Sequence, residues 1–110
     1  MPRNPVAAAA PGLPKLTPDP LAGLIGEYRH QSRIFEARAE TEAWDGLSAE
    51  TYDPALFQLI EKPPLPTTME GAAIGIEFAL GELAVAGDCP AAAGSVLRAC
   101  IAYLRGGASA

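Results

Sequence analysis

This sequence is poor in bases, in histidine and in apolar runs free of charge, and each shortage closes off a class of function. Thirteen acids face eight bases, for a net charge of −5, and only two of the bases are lysines. Nucleic-acid binders need a basic patch to neutralise phosphates and release counterions. No stretch of this chain supplies one, so direct nucleic-acid binding is not expected. With His30 as the single histidine, a repeated Glu-x-x-His metal motif cannot be assembled, and no His partner for a nucleophile is predictable from the sequence. The longest apolar segment carries Glu70, Glu77 and Glu82, which argues against a membrane-spanning helix. Val6 to Ala10 is a short, weak apolar stretch broken by Pro5 and Pro11, unlike the apolar core of a secretory signal.

Cysteine is scarce as well. Cys89 and Cys100 are eleven residues apart, which on one helix places them about 16 Å from each other. A disulfide needs Cα atoms within roughly 7 Å. An intrachain bridge is therefore not expected, and a reducing cytoplasm is the natural compartment. Strand-like alternation, internal repeats and cofactor motifs are missing too.

What is present reads as one all-α domain over residues 19–106, a bundle of about four helices, preceded by a disordered Pro/Ala-rich tail over residues 1–18. The tail holds five prolines, which remove donors and bias the preceding residue away from helix. Asp19-Pro20 then opens a first helix, with aspartate as cap and proline at the first helical position. Leu21, Leu24, Ile25, Tyr28, Ser32, Phe35 and Ala39 recur at spacings of three and four, an apolar stripe that carries the helix to about Glu42. Gly46 and Ser48 weaken a helical reading of residues 43–53, where Trp44, Leu47 and Tyr52 would be covered by a compact loop. Asp53-Pro54 repeats the start signal, and Leu56, Phe57, Leu59 and Ile60 form the inner side of a shorter helix that must stop before Pro63-Pro64.

The third helix is the central one. Thr67 with Glu70 has the spacing of a capping box, and the run to Gly87 is almost wholly apolar. Met69, Ala73, Ile76, Leu80 and Leu83 make one stripe; Ile74, Phe78 and Val85 make a second. Two apolar sides imply packing on two sides. Gly71, Gly75 and Ala79 at spacing four leave a strip without bulk. Each helical glycine costs about 1 kcal/mol against alanine, so close approach of another helix there would offset the cost. After a tight turn at Gly87-Asp88-Cys89-Pro90, a fourth helix buries Ala93, Val96, Leu97, Cys100, Ile101 and Leu104 and closes at Gly106-Gly107. So short a turn makes an antiparallel hairpin.

Candidate chemistry is thin. Glu70 and Glu77 share a face, and Glu27-x-x-His30 matches a metal-site spacing once; helix-local pairs on a solvated surface explain them equally. Cys89 at a helix N-terminus would have a stabilised thiolate, or simply be a small capping residue. Cys100 behaves as a small hydrophobe. An enzymatic reading would rest on Glu77 or Cys89 alone. No catalytic, cofactor or metal residues are assigned.

The acids cluster. Glu36, Glu40, Glu42, Asp45, Glu50 and Asp53 meet only Arg38 in their stretch, and such a surface steers towards a basic protein partner. Tyr28, Phe35, Trp44, Tyr52, Phe57 and Phe78 read as the large members of the core; Trp44, among the acids, is the one best placed to be an exposed binding anchor instead. The partner-binding set is thus Glu36, Glu40, Glu42, Trp44 and Asp45.

Pro66-Thr67-Thr68-Met69-Glu70-Gly71-Ala72-Ala73, followed by Phe78-Ala79-Leu80, together with Leu24-Ile25-Gly26-Glu27-Tyr28-Arg29, resembles a loose set of small uncharacterised alphaproteobacterial helical proteins. The resemblance spans residues 21–104 and departs where Gly46 and Asp53-Pro54 interrupt the second helix. It implies a bacterial, cytosolic, helical protein of a kind often linked to mobile DNA, and it transfers no residue roles. The expectation is a small non-catalytic interaction or regulatory module, of an inhibitor-type or phage-related kind, with a homo-oligomer compatible with its wide stripes. The alternative is a small-molecule-binding domain with a pocket beside Gly71, Gly75 and Ala79.

Overall fold

The computed structural model describes residues 19–84 and 90–106, and among them every regular element is a helix. The order is α1 (Pro20–Ala39), α2 (Leu47–Glu50), α3 (Asp53–Glu61), α4 (Met69–Ala84) and α5 (Pro90–Leu104). The expected tail over residues 1–18, Val85, the Gly87 cap, Cys89 and Gly107 lie outside the described residues. The four longer helices close a ring in which α1 packs on α3 and α4, and α5 packs on the same two. Leu21, Ile25, Leu59, Phe78, Ala92, Val96 and Cys100 fill its centre.

One side chain ties the starts of two helices together. Oδ1 of Asp19 accepts the backbone N–H groups of Leu21 and Ala22, both at 3.0 Å, and so caps α1. Oδ2 accepts the backbone N–H groups of Thr67 at 2.8 Å and Thr68 at 2.9 Å, and the Thr68 hydroxyl at 2.8 Å. The first turn of a helix carries orphan donors that need acceptors. Asp19 therefore serves the start of α4 as well as that of α1. The capping box expected of Thr67 and Glu70 is displaced by one residue. Thr68 is the cap, with its hydroxyl oxygen accepting from Gly71 N–H at 2.9 Å. Glu70 is exposed, because the Thr67 N–H it would have received is already taken by Asp19.

The strip of small residues is where α4 docks. Gly71, Gly75 and Ala79 are buried. A Cβ at Gly71 would collide with the Asp19 carboxylate, and one at Gly75 would stand 2.6 Å from Cys100 Sγ and 2.9 Å from Leu21 Cδ2. Cys100 Sγ also lies 3.6 Å from the Ala72 carbonyl, which holds α5 close against α4. At the far side of α5, Ser95 donates its hydroxyl to the Ile60 carbonyl at 2.7 Å, satisfying an acceptor in the last turn of α3.

Several expected boundaries and faces are different. α1 ends at Ala39 rather than Glu42: the Thr41 N–H bonds the Arg38 carbonyl three residues back, a 3₁₀-type closing turn, and the Glu42 N–H shares that same carbonyl. Residues 43–53 include a single helical turn, α2, entered through Gly46 at φ 73°, a left-handed conformation that glycine adopts without steric penalty. Leu47 is buried but Trp44 is 68% exposed. Phe57 faces outward; its place on the inner side of α3 goes to Ala55. The largest departure is on α4. Met69, Leu80 and Leu83 are more than half exposed, so the first of its two apolar stripes is open and the small-residue strip is what packs. On α5, Ile101 and Leu104 are likewise half open.

Candidate functional site

Five aromatic rings run edge-to-face from the core to the surface. Phe78, which is buried, meets Tyr28 with ring centroids 5.9 Å apart; Tyr28 meets Tyr52 at 6.2 Å, Tyr52 meets Phe35 at 5.2 Å, and Phe35 meets Trp44 at 5.7 Å. Such edge-on contacts are the favoured geometry of paired aromatics, each contributing about 0.5–1.5 kcal/mol beyond buried area. The spacing of Tyr28 and Phe35 along α1 supplies two of the rings; the turn through α2 returns Tyr52 between them. Arg29 places its guanidinium 6.0 Å from the Phe78 ring centroid, a cation–π distance.

Trp44 ends this series on the surface and is held there. Its indole N–H donates to the Ala39 carbonyl at 3.2 Å, an acceptor left open by the end of α1. The side chain is thus exposed and fixed at the same time.

The acids of the proposed set lie in the same stretch of chain. Glu36 is exposed on α1, Glu40 is exposed at its end, and Asp45 is exposed beside Trp44 in sequence. Glu42 is different. Arg38 donates Nε to its Oε2 at 3.0 Å and Nη2 to its Oε1 at 2.9 Å, and the same Nη2 reaches Glu50 Oε1 at 3.0 Å. The hydrogen bonds that Arg38 donates to Glu42 and then to Glu50 raise its pKa further, and the Arg38 guanidinium holds the Glu42 carboxyl below its ordinary value. Glu50, which sequence reasoning counted among the acids but left out of the partner-binding set, belongs to this cluster. Its link to Arg38 crosses twelve positions and leaves no local signal. Asp53 accepts from the Ser48 hydroxyl at 3.0 Å and is engaged in shaping the α2–α3 turn.

A groove of about 390 Å³ lies between α1 and the α2–α3 segment, lined by Leu24, Glu27, Gln31, Glu50, Thr51 and Gln58 among others. It is open and mixed in polarity. Glu27 accepts from the Gln31 amide at 3.0 Å and His30 is exposed. Among the described residues no group of three or more His, Cys, Asp or Glu side chains is placed to hold a metal ion. The expected pocket beside Gly71, Gly75 and Ala79 is filled instead by Asp19, Leu21, Val96 and Cys100, so the strip is a helix–helix contact and not a pocket wall. Glu77 is exposed. Cys100 is a free, buried thiol; burial pushes its pKa up, and the Asp19 charge adds to that, the opposite of what a nucleophile requires. No helix of the described residues is long and apolar enough to cross a membrane.

No protein family, curated protein or solved structure matches this chain.

Proposed function

We propose that the protein is a small, non-catalytic interaction module that presents Trp44, framed by Glu36, Glu40, Glu42 and Asp45, to a basic protein partner. The observation that carries this is Trp44 itself: 68% exposed, yet braced by Phe35 and by its hydrogen bond to Ala39. An exposed tryptophan that is already immobilised loses little entropy on binding, and tryptophan leads the residues that dominate interface energetics. The surrounding carboxylates supply steering towards a positively charged surface. Arg38 neutralises part of that charge and orders Glu42 and Glu50, leaving Glu36, Glu40 and Asp45 outside its ion pairs.

The test is affinity capture from the native host between about 0.05 and 0.5 M salt, a range that collapses the Debye length to a few ångströms. The wild-type chain is compared with Trp44→Ala and with a variant carrying Glu40→Lys, Glu42→Lys and Asp45→Lys. The reading expects a partner that is lost with rising salt and lost in both variants. A partner retained by both would end the assignment of this surface.

A further inference from the structure

The exposed apolar residues of α4 and α5 form one face. On α4, Gly71 and Phe78 turn towards α1, through Asp19 and Tyr28, while Ala72 and Gly75 turn towards Cys100 of α5. On α5, Cys100 turns towards α4 and Ser95 towards α3. At 100° per residue, the remaining sectors of both helices point the same way, off the hairpin and away from α1 and α3. Those sectors hold Met69 (65% exposed), Leu80 (60%) and Leu83 (55%) from α4, and Ile101 (47%) and Leu104 (50%) from α5, with the half-buried Ile76 and Leu97 between them.

The edges of this face carry opposite charge. Glu70 and Glu77 lie on the α4 edge; Arg98 and Arg105 lie on the α5 edge; all four are exposed. The contacts of Cys100 with Ala72 and Gly75 set the antiparallel register. In that register Glu70 lies within a turn of the height of Arg105, and Glu77 within a turn of the height of Arg98. A face that is acidic along one long edge and basic along the other, at matching heights, complements itself.

We propose that a second copy of this chain covers the face, in an isologous dimer whose twofold axis runs parallel to α4 and α5. That operation lays α4 of one copy over α5 of the other and keeps heights unchanged. Glu70 then meets Arg105 of the second copy, Glu77 meets Arg98 of the second copy, and symmetry repeats both pairs. A twofold axis across the helices would instead set Glu70 and Glu77 against their own copies, which like-charge repulsion disfavours. Two helices of 15–16 residues, each about 23 Å long and packed about 9 Å apart, offer a footprint of roughly 400 Å² in projection, below the ~800 Å² per partner of a standard interface and suited to a reversible dimer. The face is on α4 and α5, apart from Trp44, so its occupancy is independent of the proposed binding surface.

Sedimentation velocity of the full chain tests the proposal. The expected species is a dimer of twice 11.4 kDa that dissociates on dilution. Leu80→Glu with Ile101→Glu, both surface changes, should weaken association by at least about tenfold. Reversing the acidic edge (Glu70→Arg with Glu77→Arg) or the basic edge (Arg98→Glu with Arg105→Glu) should weaken each homodimer. An equimolar mixture of those two variants should associate better than either alone, because in the heterodimer one pair of edges is native and the other is native with its signs exchanged. A monomer at about 200 µM, far above the dissociation constants of specific dimers, would overturn the dimer. A dimer indifferent to Leu80→Glu with Ile101→Glu would overturn the face. Edge-reversed homodimers as tight as the wild type would overturn the axis, since a crosswise axis already sets like charge against like, and a mixture no tighter than its components would overturn the charge pairing of the edges.

Discussion

Asp19 is a single carboxylate on which two helix starts depend, and its removal is the sharpest perturbation the fold offers. Losing one N-cap to alanine costs about 0.5–2 kcal/mol, and a hydrogen bond to a charged group contributes about 1.5–3 kcal/mol. Asp19→Ala uncaps α1 and strips the acceptor from Thr67 and Thr68, so the expected loss is about 3 kcal/mol, out of the ~5–15 kcal/mol typical of a domain. For a domain of this size each kcal/mol moves the Tm by about 4–8 °C, which puts the fall at about 12–24 °C. Asp19→Asn has one acceptor oxygen instead of two, so one terminus stays capped and the loss should be intermediate. The pH dependence carries a sign. Burial pushes the Asp19 pKa up, but the hydrogen bonds from Ala22, Thr67 and Thr68 outweigh it and hold the folded value below 3.8. A carboxyl with a depressed folded pKa contributes stability that is present above its unfolded pKa and lost as pH falls through the folded one. The gap between wild type and Asp19→Ala should therefore be constant near neutrality and shrink below about pH 4. Urea denaturation between pH 7 and pH 3 measures both quantities. A loss under about 1 kcal/mol, no more than one ordinary cap, or a gap that does not narrow in acid, would refute the double-capping account.

Other positions give equally definite outcomes. Gly75→Ala forces a Cβ against Cys100 and Leu21 and should destabilise by about 1–3 kcal/mol through overpacking, whereas Gly26→Ala and Gly81→Ala add a Cβ in open space and should stabilise by about 0.5–1 kcal/mol each; denaturant midpoints decide. Ser95→Ala leaves the Ile60 carbonyl without its hydroxyl donor and should cost about 1–2 kcal/mol, read in the same titration. Trp44 is the sole tryptophan, so its fluorescence reports one site: Phe35→Ala should lower its anisotropy and open it to acrylamide, and an unchanged signal would mean that the ring is not braced from below. The Cys100 thiol should label with a thiol reagent only as fast as the chain opens, speeding up in Gly75→Ala.

Much of this fold is written locally. Asp19-Pro20, the stripe from Leu21 to Phe35, the spacing of Gly71, Gly75 and Ala79, and Pro90 all act within a turn or two, and each appears in place. What was illegible depends on partners distant in sequence. Asp19 announces itself as the cap of α1, but nothing in the chain marks that its second oxygen receives Thr67 and Thr68. The apolar residues of α4 show the general difficulty: periodicity identifies a hydrophobic stripe without saying which stripe is covered. Met69, Leu80 and Leu83 are bulkier than Gly71, Gly75 and Ala79, yet the small residues win the interior because only they admit a neighbouring helix at the distance Cys100 and Leu21 require. Phe57 lost its inner place to Ala55 for the same reason of fit. In the candidate site, the cluster of acids was visible as composition, and Trp44 was singled out by its position among them. The brace of Tyr28, Tyr52 and Phe35 was not, because it depends on the turn through Gly46.

The account turns on α4 facing inward with Gly71, Gly75, Phe78 and Ala79 and outward with Met69, Leu80 and Leu83. Hydroxyl-radical footprinting of the wild-type chain, read by peptide mass spectrometry at high dilution, measures this on native side chains. The account predicts oxidation of Met69, Leu80 and Leu83 near the rate of free peptides, with Phe78 and Leu21 slower by an order of magnitude. Leu80 and Leu83 as protected as Phe78 in dilute solution, where no second copy can cover them, would contradict it.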